Sequence, residues 1–165
     1  MYFYSKILTL TVFLLSWMPV HSLAQSHENN LPWKSFEEAI HFADTTEKLI
    51  LIDVWAPWCG WCHKMRTETY PQLSEILSEN FVLGRLNRDD NQATHRYNGQ
   101  IYTSFEIAQK LKVEQVPAIV ILKTDGEYLL HISGYWNTEK LRPILKYLSS
   151  GAYQNREFSK FLQQQ

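Results

Sequence analysis

At 165 residues with 45% hydrophobic side chains, the chain is long enough to bury a single core without disulfide staples. Its 16 Lys and Arg stand against 17 Asp and Glu, a balance that excludes the basic footprint of a nucleic-acid or anionic-membrane binder. Only two cysteines are present, Cys59 and Cys62, too close together to close a long loop, so their use points to chemistry rather than scaffolding.

In chain order, residues 1–6 carry one positive side chain, 7–18 are largely apolar, and 19–24 are short and less apolar. This is the layout of a signal peptide, with Ser22 and Ala24 as the small residues before a cut at Gln25. The apolar stretch is short for a permanent membrane span. A periplasmic or otherwise exported location is therefore expected. Removing 1–24 takes away Lys6 and no acid, so 15 basic residues remain against 17 acidic ones, a net charge of −2. Residues 25–32 read as a polar linker.

Trp33, Phe36, Ala39, Ile40 and Ala43 recur at helical spacing and predict an amphipathic helix over 35–44. Residues 49–55 are apolar apart from Asp53 and rich in branched side chains, which predicts a buried central strand. A helical pattern runs from about 59 to 78, with Met65, Leu73, Ile76 and Leu77 facing inward and Pro71 as a kink. A strand at 81–86 follows. Residues 88–103 are polar with turn signals, including Asn98-Gly99, and read as a loop or small hairpin. Phe105, Ile107, Ala108 and Leu111 mark a short helix. Pro117 then opens a strand at 118–122, Asp125-Gly126 turns the chain, and 128–132 returns beside it. Leu141, Ile144, Leu145 and Leu148 define a last helix that Gly151 stops, and 151–165 form a tail with a polar helical turn or two. This order predicts one α/β domain over 33–150, with parallel strands joined by right-handed crossovers and one antiparallel hairpin.

Open α/β sheets place their sites at strand-to-helix junctions, and Cys59-Gly60-Trp61-Cys62 falls on one. A thiol attacks only as its thiolate, which the unpaired N–H groups at a helix start favour. Cys59 holds that position and is expected to be exposed and low in pKa. Cys62, one turn further in, is close enough to attack a mixed disulfide formed at Cys59. Asp53, an acid inside an apolar run, is expected to have a raised pKa.

The run Asp53-Val54-Trp55-Ala56-Pro57-Trp58-Cys59-Gly60-Trp61-Cys62 resembles the active-site segment of thioredoxins, and Val116-Pro117-Ala118 resembles their cis-proline loop. The similarity extends from about Trp33 to Ser149. It implies a thioredoxin fold, a central mixed four-stranded sheet flanked by helices, acting as a monomer on protein thiols and disulfides. It also implies that Cys59 attacks, Cys62 resolves, and Asp53 lies buried behind Cys62 as a proton acceptor or relay. Pro117 would face the cysteines in cis, with Gly134 beside the peptide groove. Trp58, Gly60, Trp61, Val116, Pro117 and Gly134 are then the expected substrate contacts. Trp61 stands where thioredoxins have proline, His63 where lysine is usual, and Arg85 where a lysine neighbours the buried acid. The Cys-x-x-Cys-His-x-Met run and the polar insertion before Phe105 are more similar to exported SoxW-type thioredoxins and to soluble domains of thiol:disulfide interchange proteins. A Cys-Gly-x-Cys core is closer to the reducing members, which in an oxidising compartment need electrons from a membrane thiol conduit.

Other readings of the same residues are a c-type haem site through Cys59, Cys62 and His63, a structural disulfide, and a non-catalytic groove that holds unfolded segments. No metal or other cofactor is expected, since zinc needs about four ligands and His41, His63, His95 and His131 are scattered with no second cysteine pair. Tyr135 and Trp136 either pack in the core or wall the groove.

Overall fold

The computed structural model describes residues 31–164; the expected signal segment and residues 25–30 of the linker lie outside them. Strand β1 (Lys34–Ser35) leads into helix α1 (Phe36–Ala43), which Ser35 starts with a capping box: its Oγ accepts from the Glu38 N–H and the Glu38 carboxylate accepts from the Ser35 N–H. The apolar run forms β2 (Leu49–Trp55) with the expected bounds.

The expected long helix is broken into four pieces. Helix α2 (Gly60–Lys64) passes into a π turn (Met65–Thr69), a 3-10 turn (Pro71–Leu73) and α3 (Ser74–Asn80). Pro71 has no N–H to continue the ladder, and the Tyr70 N–H reaches back five residues to Met65 O at 2.9 Å. One residue of register is thereby gained, which turns Tyr70 inward.

Strand β3 (Phe81–Asn87) follows, then a hairpin of β4 (Thr94–Tyr97) and β5 (Gln100–Thr103) whose turn residues Asn98 and Gly99 both have positive φ, as a two-residue hairpin turn requires. Helix α4 (Ser104–Lys110), the strand pair β6 (Ala118–Leu122) and β7 (Tyr128–Ser133), and α5 (Thr138–Ser149) complete the layers.

The sheet order is β1-β3-β2-β6-β7. The four expected strands are joined by the two-residue β1, which pairs parallel to β3 at the edge. β2 and β3 are parallel, but β6 runs antiparallel to β2 as well as to β7, so the expectation of a single antiparallel pairing is corrected. Period-two alternation sends Ile50, Ile52 and Val54 into a core with α1, α4 and the hairpin, and Leu51 into a second core with the π turn, α3 and α5. Asp53 follows Leu51 in that alternation.

Gly84 is where β3 passes closest to its neighbours. A Cβ there would lie 2.5 Å from Ile52 Cδ1 and 2.7 Å from Ala39 Cβ, so α1 lies against the sheet because this position has no side chain.

Packing runs past both ends of the expected domain. Leu31 and Phe161 are buried, and α6 (Phe158–Leu162) stacks Phe158 and Phe161 on Tyr147 at 5.2 and 5.3 Å. The tail is therefore docked by aromatic contacts, where the sequence suggested only polar turns.

Candidate active site

Cys59 sits after β2 at the start of α2 and is disulfide-bonded to Cys62. Its Sγ acts as the helix cap, accepting the Cys62 backbone N–H at 3.0 Å. Once the disulfide is opened, the same N–H is placed to donate to the Cys59 sulfur. The expected exposure of Cys59 is not seen: it is 6% exposed against 4% for Cys62. Ala56, Trp55 and Val116 pack around the pair, and the part of this cover that Val116 supplies comes from a distant segment with no local signal.

Val116–Pro117 is cis. Val116 packs on the cysteines, and Pro117 is buried, with its carbonyl accepting the Gly134 N–H at 2.8 Å. Gly134 has φ of 81°, a conformation glycine adopts without strain. Two segments far apart in sequence are thus tied together beside the disulfide.

Trp58 and Trp61 are 66% and 58% exposed on either side of Cys59. Trp61 lies 4.9 Å from Tyr135, and Lys64 Nζ stands 5.5 Å from both rings. Trp58 donates its indole N–H to Asp89 at 2.7 Å, and Arg88 holds the same carboxylate. Tyr135 and Trp136 are both half-buried and pack against the second core; Tyr135 also meets Trp61, while Trp136 gives its indole N–H to Ser133 O and its carbonyl accepts the Thr69 hydroxyl. Gly60 is exposed with open space around it.

Asp53 is 1% exposed. One oxygen accepts the Tyr70 hydroxyl at 2.8 Å; the other accepts Arg85 Nε and Nη2 at 3.1 and 2.8 Å. None of these bonds goes to Cys62. Arg85 is the residue directly beside Asp53 on β3, and its guanidinium lies 5.2 Å from the Trp33 ring and 5.4 Å from the Trp55 ring. Burial pushes the Asp53 carboxyl above its ordinary value of 3.8, against the pull of Arg85 and then Tyr70. Tyr70, buried beside that acid, has its phenol held well above its ordinary value by desolvation first and Asp53 second.

A testable consequence follows from linkage. With a raised folded pKa, the native state holds the Asp53 proton after the unfolded chain has released it, so stability falls as pH climbs from about the ordinary carboxylate value through the folded one. Asp53→Asn removes that slope. Urea unfolding from pH 4 to 9 should give similar stabilities at the acid end and a growing advantage for Asp53→Asn above it; parallel curves would contradict the assignment.

Of the remaining histidines, His63 Nδ1 lies 3.1 Å from Arg66 Nη2, which can only donate. His95 meets Ser104 Oγ, His131 meets the Tyr128 hydroxyl, and His41 is exposed on α1. Sequence reasoning missed Tyr70, Arg66 and Asp89. Tyr70 depends on the π turn, and the Trp58 to Asp89 contact spans 31 positions, so no local signal marks either.

A disulfide at a strand-to-helix junction, a helix-capping sulfur and a cis-proline segment beside it define a thiol:disulfide oxidoreductase acting on proteins. A family model described as a thioredoxin-like domain matches residues 36–149. Thioredoxin of Bacillus subtilis (strain 168) is 30% identical over 103 residues, 62% of this chain and 85% of that protein. A protein disulfide-isomerase of Ricinus communis is 24% identical over 143 residues, 86% of this chain but 27% of its own length. A solved thioredoxin-fold protein from Helicobacter pylori superposes with a TM-score of 0.59 at 18% identity, over 72% of this chain and 79% of that one. The chain belongs to the thioredoxin-like family.

Proposed function

We propose that this protein is an exported reductase of protein disulfides that receives electrons from a membrane dithiol donor and works as a monomer. The observation that carries the direction is the surroundings of the sulfurs. Gly60 and Trp61, between the cysteines, bring no cation, and the pair is covered by Ala56, Trp55 and Val116. Apolar cover disfavours a thiolate relative to a disulfide, and the nearby guanidiniums of Arg66 and Arg85 are bonded to His63 and Asp53 rather than to either sulfur, which leaves the dithiol the electron-giving partner. Membership of the thioredoxin-like family supports this reading over haem attachment through Cys59, Cys62 and His63.

In the proposed cycle the Cys59 thiolate attacks one sulfur of a substrate disulfide. A mixed disulfide forms, and the other substrate sulfur leaves as a thiolate and takes a proton. Cys62 then loses its proton, with the buried Asp53 carboxylate as the acceptor, and attacks Cys59 Sγ. The Cys59–Cys62 disulfide forms, the second substrate thiol departs, and two electrons have passed to the substrate. The substrate backbone lies along Val116, Pro117 and Gly134, flanked by Trp58 and Trp61. The export reading rests on residues 1–24.

Equilibration with glutathione buffers should place the Cys59–Cys62 potential nearer thioredoxin's, about −270 mV, than DsbA's, about −120 mV. A value at the oxidising end would overturn the reductase reading.

A further inference from the structure

One wall of the disulfide has a charge pattern that the proposed cycle does not use. A cavity of about 190 Å³ opens beside Cys59 and Cys62, lined also by Trp58, His63, Arg66 and Arg85. Trp58 and Gly60 line it, whereas Trp61, Tyr135, Pro117 and Gly134 do not, so it adjoins the peptide groove on one side only. Its volume is about six waters' share of liquid, room for one side chain and too little for a drug-sized ligand.

No Asp or Glu lines this cavity. Two guanidiniums flank the Trp55 ring at its wall, Arg66 at 5.8 Å and Arg85 at 5.4 Å. Arg85 is occupied by the buried Asp53. Arg66 differs: it is exposed, it gives Nη2 to His63, and none of the described carboxylates lies within ion-pair distance of it, although its charge also acts on the buried Asp53. The neighbouring surface cations are matched, Lys64 with Glu68 and Arg88 with Asp89. A guanidinium braced by an imidazole and an indole ring, with no ion-pair contact, has its other N–H donors left for an acceptor, and a planar fork suits a carboxylate.

We propose that this cavity is a carboxylate subsite: Arg66 takes the acidic group that a substrate carries next to the sulfur attacked by Cys59. The inference rests on the oxidoreductase reading and adds a substrate class to it. The carboxylate comes either from an acidic residue beside the substrate cysteine or from glutathione held on that cysteine as a mixed disulfide.

The test uses disulfide-linked peptides with Glu, Gln or Lys beside the cysteine, and the Gln peptide carrying glutathione, all reduced by the protein with dithiothreitol as donor. The Glu peptide should be reduced with kcat/KM about fivefold above the Gln peptide, the scale of one solvent-accessible ion pair, with Lys slowest and the advantage shrinking in salt. A larger advantage for the glutathione adduct than for Glu would assign the site to the small thiol. Arg66→Gln should bring the Glu to Gln ratio to about one while both peptides are still reduced, and Arg66→Lys should keep part of it. Equal rates on the wild-type protein, or a ratio that survives Arg66→Gln, would overturn the subsite. If no peptide is reduced, the oxidoreductase reading fails instead. The subsite is then read by calorimetric titration with the same peptides carrying Ser for Cys, where equal affinities for Glu and Gln would overturn it.

Discussion

Cys62→Ser should accumulate mixed disulfides with its substrates, and Cys59→Ser should not. The asymmetry follows from where each sulfur sits. Cys59 Sγ caps the helix and takes the Cys62 N–H at 3.0 Å, so with the disulfide open its thiolate keeps a donor. Cys62 lies inside the first turn at 4% exposure, next to a sulfur that substrate has already engaged. Serine at 62 removes the second attack and leaves the first. Serine at 59 removes the first, and the thiol that remains lacks a cap position from which to start. Turnover in an insulin-disulfide assay should fall by at least about a thousandfold in both variants, because a nucleophile and its partner act as a unit. Only Cys62→Ser should show adducts on non-reducing gels. Since both residues are nearly buried in the disulfide form, static exposure does not separate them; alkylation of the reduced protein below neutral pH does, and faster labelling of Cys62 than of Cys59 would reverse the roles.

The largest stability effect is expected at Gly84. Alanine there places Cβ inside 3 Å of two atoms of different give. Ile52 Cδ1 is the end of a flexible side chain and can turn away, whereas Ala39 Cβ is fixed to α1, so the helix must lift from the sheet. Overpacking of this kind costs about 2 kcal/mol, and the lower unfolded-chain entropy of alanine returns only part of it. Gly84→Ala should therefore melt about 5–10 °C below the wild type, with Gly60→Ala, whose Cβ meets nothing within 4 Å, as the stability control. Ile52→Val in the same background should recover part of the loss, since one of the two clashing atoms is gone, while the Ala39 contact remains. A purely additive double mutant would mean that Ile52 is not the strained neighbour.

Much of this architecture was legible in the sequence because local chemistry and burial agree. Strand β2 has its expected bounds since an apolar branched run can do little else than sit between two layers, and the Ser35 and Gly151 helix signals act through backbone groups within a turn. Both cysteines and Asp53 were visible for the same reason: an acid in an apolar run and a Cys pair at a junction are local anomalies. What escaped depends on contacts between distant segments. Strand β1 is two residues long and exists through pairing with β3, and the reversed direction of β6 is set by where the connection through α4 enters the sheet. Part of the cover over Cys59 comes from Val116, 57 positions on. Tyr70 reaches Asp53 only because the helix widens by one residue ahead of Pro71, a shift that a regular helical period hides. The aromatic docking of the tail was likewise missed, as Phe158 and Phe161 become core residues only against Tyr147.

The β4–β5 hairpin grows from the polar stretch that the sequence presents as an insertion, yet it is not an ornament on a finished body. Tyr97 is buried, rests edge-on against Phe36 at 5.6 Å, and hands its hydroxyl to Gly126 O at 2.8 Å, while His95 meets the same Phe36 ring at 5.7 Å. One short segment thus buttons the first helix to the turn between the last two strands. Modularity therefore has a seam in the wrong place for cut-and-paste: grafting this redox segment onto a shorter scaffold, or trimming the hairpin to match one, would leave Phe36 facing a hole and the β6–β7 turn without its latch. Loop and core here form one packed unit, so removing the hairpin would require α1 to be repacked as well.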